Sequence, residues 1–111
     1  MKVENLAKAI SDKNRVRIIN YLIKSSQKVS AISDKLEMEE NLTSHHLRVL
    51  QTLGYLKSQK RGREVIYSIN RSKFISNIKD LLRNKFFKEI IEEITELENS
   101  KKSTKSRKSS S

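Results

Sequence analysis

Residues 41–69, which read NLTSHHLRVLQTLGYLKSQKRGREVIYSI, change from helical to strand periodicity. The helical part ends at Gly54, a residue suited to the left-handed position after a helix. Residues 55–60 and 64–69 are rich in strand formers, and only Arg61-Gly62-Arg63 separates them. This pattern predicts a helix followed by a two-stranded β-hairpin. The helical stripe comprises Thr43, Leu47, Leu50 and Leu53.

Three shorter helical patterns precede this segment. Residues 3–10, 16–23 and 29–36 place apolar side chains three or four positions apart, and Ser30 is a suitable N-cap for the third helix. A polar, acidic turn at residues 37–40 leads into the fourth helix. This order predicts a winged helix-turn-helix fold in the mainly α class (α+β), with the hairpin as the wing.

Apolar residues again recur at helical spacing through residues 72–98, which predicts one helix of roughly seven turns. The helix could pack on its own domain or against the same helix of a second subunit. Its length favours a C-terminal dimerisation helix, with the first helix contributing, and strict heptads are not sustained. We therefore expect one domain over residues 1–98. Residues 99–111 predict a disordered basic Ser/Lys tail, which either adds phosphate contacts or only raises solubility.

Composition limits the class of protein. The 111 residues are 35% hydrophobic and 5% aromatic, enough for one small core. There is no cysteine, which excludes disulfides and thiolate metal sites. No apolar run approaches a membrane span and no secretion signal is recognised, so we expect a cytoplasmic protein with no membrane partner.

The net charge of +11 is the strongest compositional signal. Five of the basic residues lie in residues 99–111, which contain no acidic residue, so residues 1–98 alone carry +6. A basic domain favours a polyanionic partner, with nucleic acid ahead of an anionic membrane surface. The alternative is that abundant Lys and Glu only keep the protein soluble.

The fourth helix carries the candidate base-reading residues, because an α-helix fits the major groove of double-stranded DNA. Its polar face, opposite Leu47 and Leu50, is the expected contact surface. The hairpin is basic, which suits the phosphate backbone or the minor groove, although a solvated turn is the alternative. The predicted DNA-binding residues are Asn41, Thr43, Ser44, His45 and Arg48 on the helix, and Lys60, Arg61 and Arg63 on the wing.

Three segments together resemble the ArsR/SmtB-type winged-helix repressors. They are SHHLRVLQTLGYL at residues 44–56, RVRIINYL at 15–22 and KVSAISDKLEM at 28–38, in the family's order and spacing. The resemblance covers about residues 3–70. It implies a DNA-associated transcriptional regulator that dimerises through its last helix.

The sequence departs from the family where many members bind metal ions. Lys28 and Ser30 stand where those members carry Cys-x-Cys, and no histidine follows His46. Adjacent His45 and His46 point about 100° apart on a helix, so they do not converge on one ion. We expect no metal and no cofactor, with His46 packed beneath the wing or bonded to backbone.

The turn before the fourth helix also departs from the family. Glu37 stands where glycine is usual, and Glu39-Glu40 where small polar residues are usual. Acidic groups suit the positive end of the helix dipole but repel phosphate. DNA contacts that family members make from this turn are therefore not expected to be the same in this protein.

These observations predict a sequence-specific, homodimeric DNA-binding transcriptional regulator, a repressor by resemblance, that does not respond to metals. The alternative is an architectural chromatin or nucleoid protein with little sequence preference. A protein-interaction module is disfavoured by the basic wing. No constellation of catalytic residues stands out, so we do not expect an enzyme, and no pattern specifies a small-molecule effector.

Overall fold

The computed structural model describes the backbone of residues 2–110 and the side chains of residues 4–101. The chain divides into two compact units, Met1–Asn77 and Ile78–Ser111, and each is described by itself. The first unit contains four helices: α1 (Lys2–Ile10), α2 (Lys13–Lys24), α3 (Val29–Leu36) and α4 (Glu40–Thr52). It also contains the strands β1 (Gln27–Lys28), β2 (Leu56–Arg61) and β3 (Glu64–Ile69).

The strands form one antiparallel sheet in the order β1-β3-β2. The predicted hairpin is present as β2 and β3, and Arg61 pairs with Glu64 at its end. Gly62 has φ +60° and is the first of the two residues in the turn, the position that requires glycine in a type II′ hairpin. The sequence prediction missed β1, since two residues are too few to give a periodic pattern.

The core of the first unit lies between the helices and the inner face of the sheet. Tyr55, fully buried just after α4, stacks on Phe74 with ring centroids 4.5 Å apart. The side-chain nitrogen of Asn77 donates to the Tyr55 hydroxyl, so the buried hydroxyl has a hydrogen-bond partner. The buried hydrophobic residues are Ala9, Ile18, Ile19, Leu22, Ile32, Leu47, Leu50, Tyr55, Leu56 and Tyr67.

The predicted single helix over residues 72–98 is wrong, because the structure has two helices there. They are α5 (Arg71–Arg83) and α6 (Lys85–Ser110), with a break at Asn84. The Asn84 side-chain oxygen accepts from the backbone N–H groups of Phe86 and Phe87, at 3.1 and 3.2 Å. Asparagine therefore caps the start of α6, although the apolar period runs through it without interruption.

The domain boundary at residue 98 stays a prediction. Most of the predicted disordered tail, residues 99–111, lies outside the residues whose side chains are described. None of the helices in the described part of the chain has the length and apolar character needed to cross a bilayer.

Glu37 gives a direct test of the helix-turn-helix turn. It has φ +54° and follows α3 in the left-handed conformation, which costs a residue with a Cβ about 1–2 kcal/mol. Glycine avoids that strain but loses about 0.5–1 kcal/mol in entropy. Glu37→Gly should therefore raise the free energy of unfolding by about 0.5–1 kcal/mol in urea titrations.

The matched control is Lys35→Gly, two residues earlier on the exposed side of α3. It should lower the free energy of unfolding by about 1 kcal/mol, since glycine weakens a helix interior. Equal destabilisation by both substitutions would contradict a strained Glu37.

Candidate nucleic-acid interface

Helix α4 has one buried face and one exposed face. Thr43, His46, Leu47 and Leu50 are buried, while Asn41, His45 and Arg48 are exposed and Ser44 is half-buried. In the described part of the chain, the side chains of Asn41 and Arg48 make no hydrogen bond or ion pair. Their donors and acceptors are available to an external partner, as a DNA-reading surface requires.

Thr43 does not belong to this surface, so its assignment as a DNA-binding residue is wrong. It is 0% exposed, and its hydroxyl donates to the backbone carbonyl of Glu39 at 2.9 Å. Thr43 lies four residues before Leu47, which places both on the core side of the helix. The other predicted DNA-binding residues of α4 lie at the surface, namely Asn41, Ser44, His45 and Arg48.

Arg15 fixes the buried face of α4 to the first two helices. Its guanidinium donates to the carbonyls of Lys8 and Ala9, at 2.9 and 3.3 Å, at the end of α1. A third nitrogen lies 3.2 Å from Nδ1 of His46 on α4. Since arginine can only donate, Nδ1 of His46 is the acceptor and the ring is neutral.

Asp12 completes this cluster. Its carboxylate caps α2 by accepting from the N–H groups of Asn14 and Arg15, and it lies 3.8 Å from Nε2 of His46. Partial desolvation raises the pKa of Asp12, but the two backbone hydrogen bonds, His46 in its protonated form and the Arg15 guanidinium outweigh it, so the pKa is lowered. His46 thus bonds the Arg15 side chain and lies near Asp12, so our expectation that it bonds backbone is wrong, while packing beneath the wing stays a prediction.

Burial is the main cause that lowers the pKa of His46 below the ordinary value of 6.5. Asp12 acts in the opposite direction, while the charge of Arg15 and the neighbouring His45 lower the pKa further. Protonation at Nδ1 would also remove the acceptor that Arg15 uses. The neutral ring is therefore part of the structure that holds α4.

The wing lies beside α4 and carries exposed cations. The Gln51 side chain on α4 donates to the Ser58 hydroxyl on β2 at 2.8 Å, which connects the helix to the hairpin. Lys60, Arg61 and Arg63 are all exposed, and the described residues offer them no ion-pair partner. The three predicted wing residues are thus accessible to phosphate.

Two concavities flank Lys28 on this surface. One, of about 360 Å³, is lined by Arg61 and Gln59, and the other, of about 220 Å³, by Arg63 and Ser44. Between them, Nζ of Lys28 lies 3.3 Å from a carboxylate oxygen of Glu64. Arg61 and Arg63 therefore border different concavities.

Three residues that were not predicted to bind DNA line the 220 Å³ concavity with Ser44, namely Lys28, Ser30 and Glu40. The spacing of four between Glu40 and Ser44 was an available signal, since such residues share a helix side. Lys28 and Ser30 lie at the start of α3, and they line this concavity because α3 packs beside α4. Within the described residues, no three His, Cys, Asp or Glu side chains are grouped to hold a metal ion.

Comparison with known proteins gives consistent matches. The profile of bacterial regulatory proteins of the arsR family matches residues 12–58. The chain is 37% identical over 71 residues to a cadmium resistance transcriptional regulatory protein CadC homolog of Staphylococcus aureus, covering 63% of this chain and 59% of that protein. The chain thus spans about three fifths of the length of curated relatives such as this one.

Solved structures are similar over a larger share of the chain. An ArsR-like transcriptional regulator from Rhodococcus sp. RHA1 matches with a TM-score of 0.70 at 23% identity, covering 88% of this chain and 91% of that one. The homodimeric winged helix-turn-helix DNA-binding domain Mb0332 from Mycobacterium bovis matches with a TM-score of 0.60 at 21% identity, covering 74% and 81%. At these identities the likeness shows the fold.

The His46 cluster predicts a specific pH dependence. Because its pKa is lower in the folded state, the unfolded chain takes up a proton more readily once the pH falls below 6.5. The free energy of unfolding should therefore decrease as the pH falls from 7.5 to 5, and His46→Gln should flatten this dependence. Denaturant titrations across that range measure it.

His45→Gln is the control, since His45 is exposed on the same helix. It should keep the pH dependence of the wild type. An identical pH dependence for His46→Gln and the wild type would show that the neutral ring does not hold α4.

Proposed function

We propose that the chain is an ArsR/SmtB-type, sequence-specific regulator of transcription that binds double-stranded DNA, because the arsR-family profile matches residues 12–58 and the fold is similar to that of an ArsR-like regulator. The proposal extends to a repressor that acts as a homodimer, without a metal response, in a DNA-associated cytoplasmic location. The exposed, unpaired polar face of α4 beside a basic wing is the observation that carries it.

Base readout is assigned to the α4 face. Arg48 has a planar fork of donors that matches the acceptors of guanine in the major groove, and His45 and Asn41 project from the same helix. The opposite side of α4 is held by the core and by Arg15, so the polar face is preorganised. Preorganisation lowers the entropy cost of binding.

Phosphate contact is assigned to the wing, through Lys60, Arg61 and Arg63. These contacts attract any DNA sequence and weaken as salt rises. An exposed basic wing on a domain of net positive charge also favours the alternative, an architectural protein that coats DNA. The two functions differ in the ratio of specific to non-specific affinity at one salt concentration.

The homodimer is proposed from the apolar residues of the second unit and from the homodimeric relative Mb0332. Ile78, Leu82, Phe86 and Phe87 are exposed in the single chain, and Phe86 is 64% exposed. A contiguous set of such residues is unusual on a monomer. A dimer with two-fold symmetry would read two half-sites of a palindrome.

The absence of a metal response is proposed from Lys28 and Ser30, which replace the Cys-x-Cys of metal-sensing members. Neither side chain is a soft-metal ligand, and the Lys28 ammonium is already paired with Glu64. DNA binding should therefore depend on the protein and on the sequence of the duplex, and added metal ions should not change it.

Alanine substitutions separate base readout from phosphate contact. Arg48→Ala or His45→Ala should reduce the preference for a selected duplex over random DNA by about 1–3 kcal/mol. Arg61→Ala or Arg63→Ala should weaken binding to both duplexes and lower the slope of log affinity against log salt by about one each. Fluorescence anisotropy at four salt concentrations measures both effects.

The architectural protein would be favoured by two results together: Arg48→Ala weakens binding to every duplex equally, and the wild type shows no sequence preference. Unchanged salt slopes for the wing variants would contradict phosphate contact by the hairpin.

The homodimer is tested by the double substitution Ile78→Asp with Phe86→Asp, which places two charges on the exposed apolar surface. Sedimentation should detect a dimer for the wild type and a monomer for this variant, with weaker binding to a palindromic duplex. Ile23→Asp is the control, since Ile23 has a similar exposure of 46% on α2. A dimer that persists in the double variant would rule out this interface.

A further inference from the structure

The 220 Å³ concavity between the start of α4 and the wing has an unusual charge pattern for a surface that meets DNA. Two cations and two carboxylates border it, so its net charge is zero in a domain that is otherwise basic. The charged and hydroxyl residues that line it are Lys28, Ser30, Glu40, Ser44, Arg63 and Glu64.

The two carboxylates differ in their partners. Glu64 is paired with Lys28 at 3.3 Å, and this pair is about half-exposed. Glu40 is exposed, and among the described residues its carboxylate accepts no hydrogen bond and forms no ion pair. The residue before it, Glu39, is the N-cap of α4 and makes no side-chain capping bond either. Glu40 is thus an open acceptor on the border of the concavity.

Glu40 also has a defined place on the DNA-facing surface. It is the first residue of α4, and the first residues of a recognition helix are those that reach base edges. It lies four residues before Ser44, so the two side chains share one side of the helix and line the same concavity. A free carboxylate there repels phosphate and requires a compensating contact in the complex.

We propose that Glu40 is a specificity-determining residue that accepts a hydrogen bond from the N4 amino group of a cytosine in the major groove. This inference rests on the proposed function. Cytosine offers a lone donor there, whereas adenine places its N7 acceptor beside its amino group, and guanine and thymine offer only acceptors. A carboxylate, which only accepts, therefore fits cytosine best.

The position of Arg48 fixes where that cytosine should occur. Arg48 follows Glu40 by eight residues, about 12 Å along the helix axis. With base pairs about 3.4 Å apart, a helix that lies along the groove reads a cytosine at Glu40 about three to four base pairs from a guanine at Arg48.

The test is selection of duplexes from random DNA by the wild type and by Glu40→Gln, with Glu39→Gln as the matched control. Glu39 is the adjacent exposed carboxylate and does not line the concavity. The wild type and the control should enrich the same cytosine. Glu40→Gln should shift that position toward adenine, because an amide matches both the donor and the acceptor of adenine.

A binding measurement completes the test. Replacing the enriched C·G pair by T·A should weaken the wild type about tenfold and Glu40→Gln less than threefold. If Glu40→Gln keeps the cytosine and binds every duplex more tightly, Glu40 only repels phosphate and the inference is wrong. A wild type that enriches no sequence would contradict the proposed function itself, and this result separates the two failures.

Discussion

The side chain of Arg15 is the contact on which the position of α4 depends. One guanidinium bonds two carbonyls at the end of α1 and the ring of His46 on α4. The planar fork of arginine has enough donors in fixed directions to join these elements, which a lysine at the same place would not. Because His46 is buried and neutral, the core side of α4 is held by a hydrogen bond as well as by Leu47 and Leu50.

The same helix is connected to the wing on its other side. Gln51 bonds Ser58 of β2, and the type II′ turn at Gly62 carries the basic residues to the end of the hairpin. The polar face of α4 and the wing cations are therefore presented from one compact unit, which contains every side chain assigned to DNA. At the concavity beside Glu40 and Lys28, charges of both signs lie close to the wing cations.

Local patterns predicted the parts of the fold that depend on nearby residues. Helix α4 was predicted correctly from the apolar stripe through Leu47 and Leu50 and from Gly54 after its end. The wing was predicted correctly from the two short strand patterns. The break at Asn84 was missed because a capping side chain competes with an uninterrupted apolar period. Thr43 has a polar side chain, but it lies on the stripe of Leu47 and Leu50, so periodicity already placed it on the core side and its assignment to the DNA-binding surface ignored that signal.

The long-range contacts of the site had no signal in a single sequence. Arg15 and His46 are 31 residues apart, and Lys28 and Glu64 are 36 apart. Each pair joins elements that are far apart in the sequence, α2 with α4 and β1 with β3. The sequence therefore predicted which side of α4 is exposed, but not the side chains that hold that helix in position.

In the proposed complex, α4 reads the major groove while the wing lies at the backbone or the minor groove. Chemical methylation of a selected duplex measures both, since it modifies guanine N7 in the major groove and adenine N3 in the minor groove. Guanine N7 should be protected in two half-sites about 10 base pairs apart, with adenine N3 protected only at their outer edges. Uniform protection along the duplex, or no protection of guanine N7, would contradict this complex.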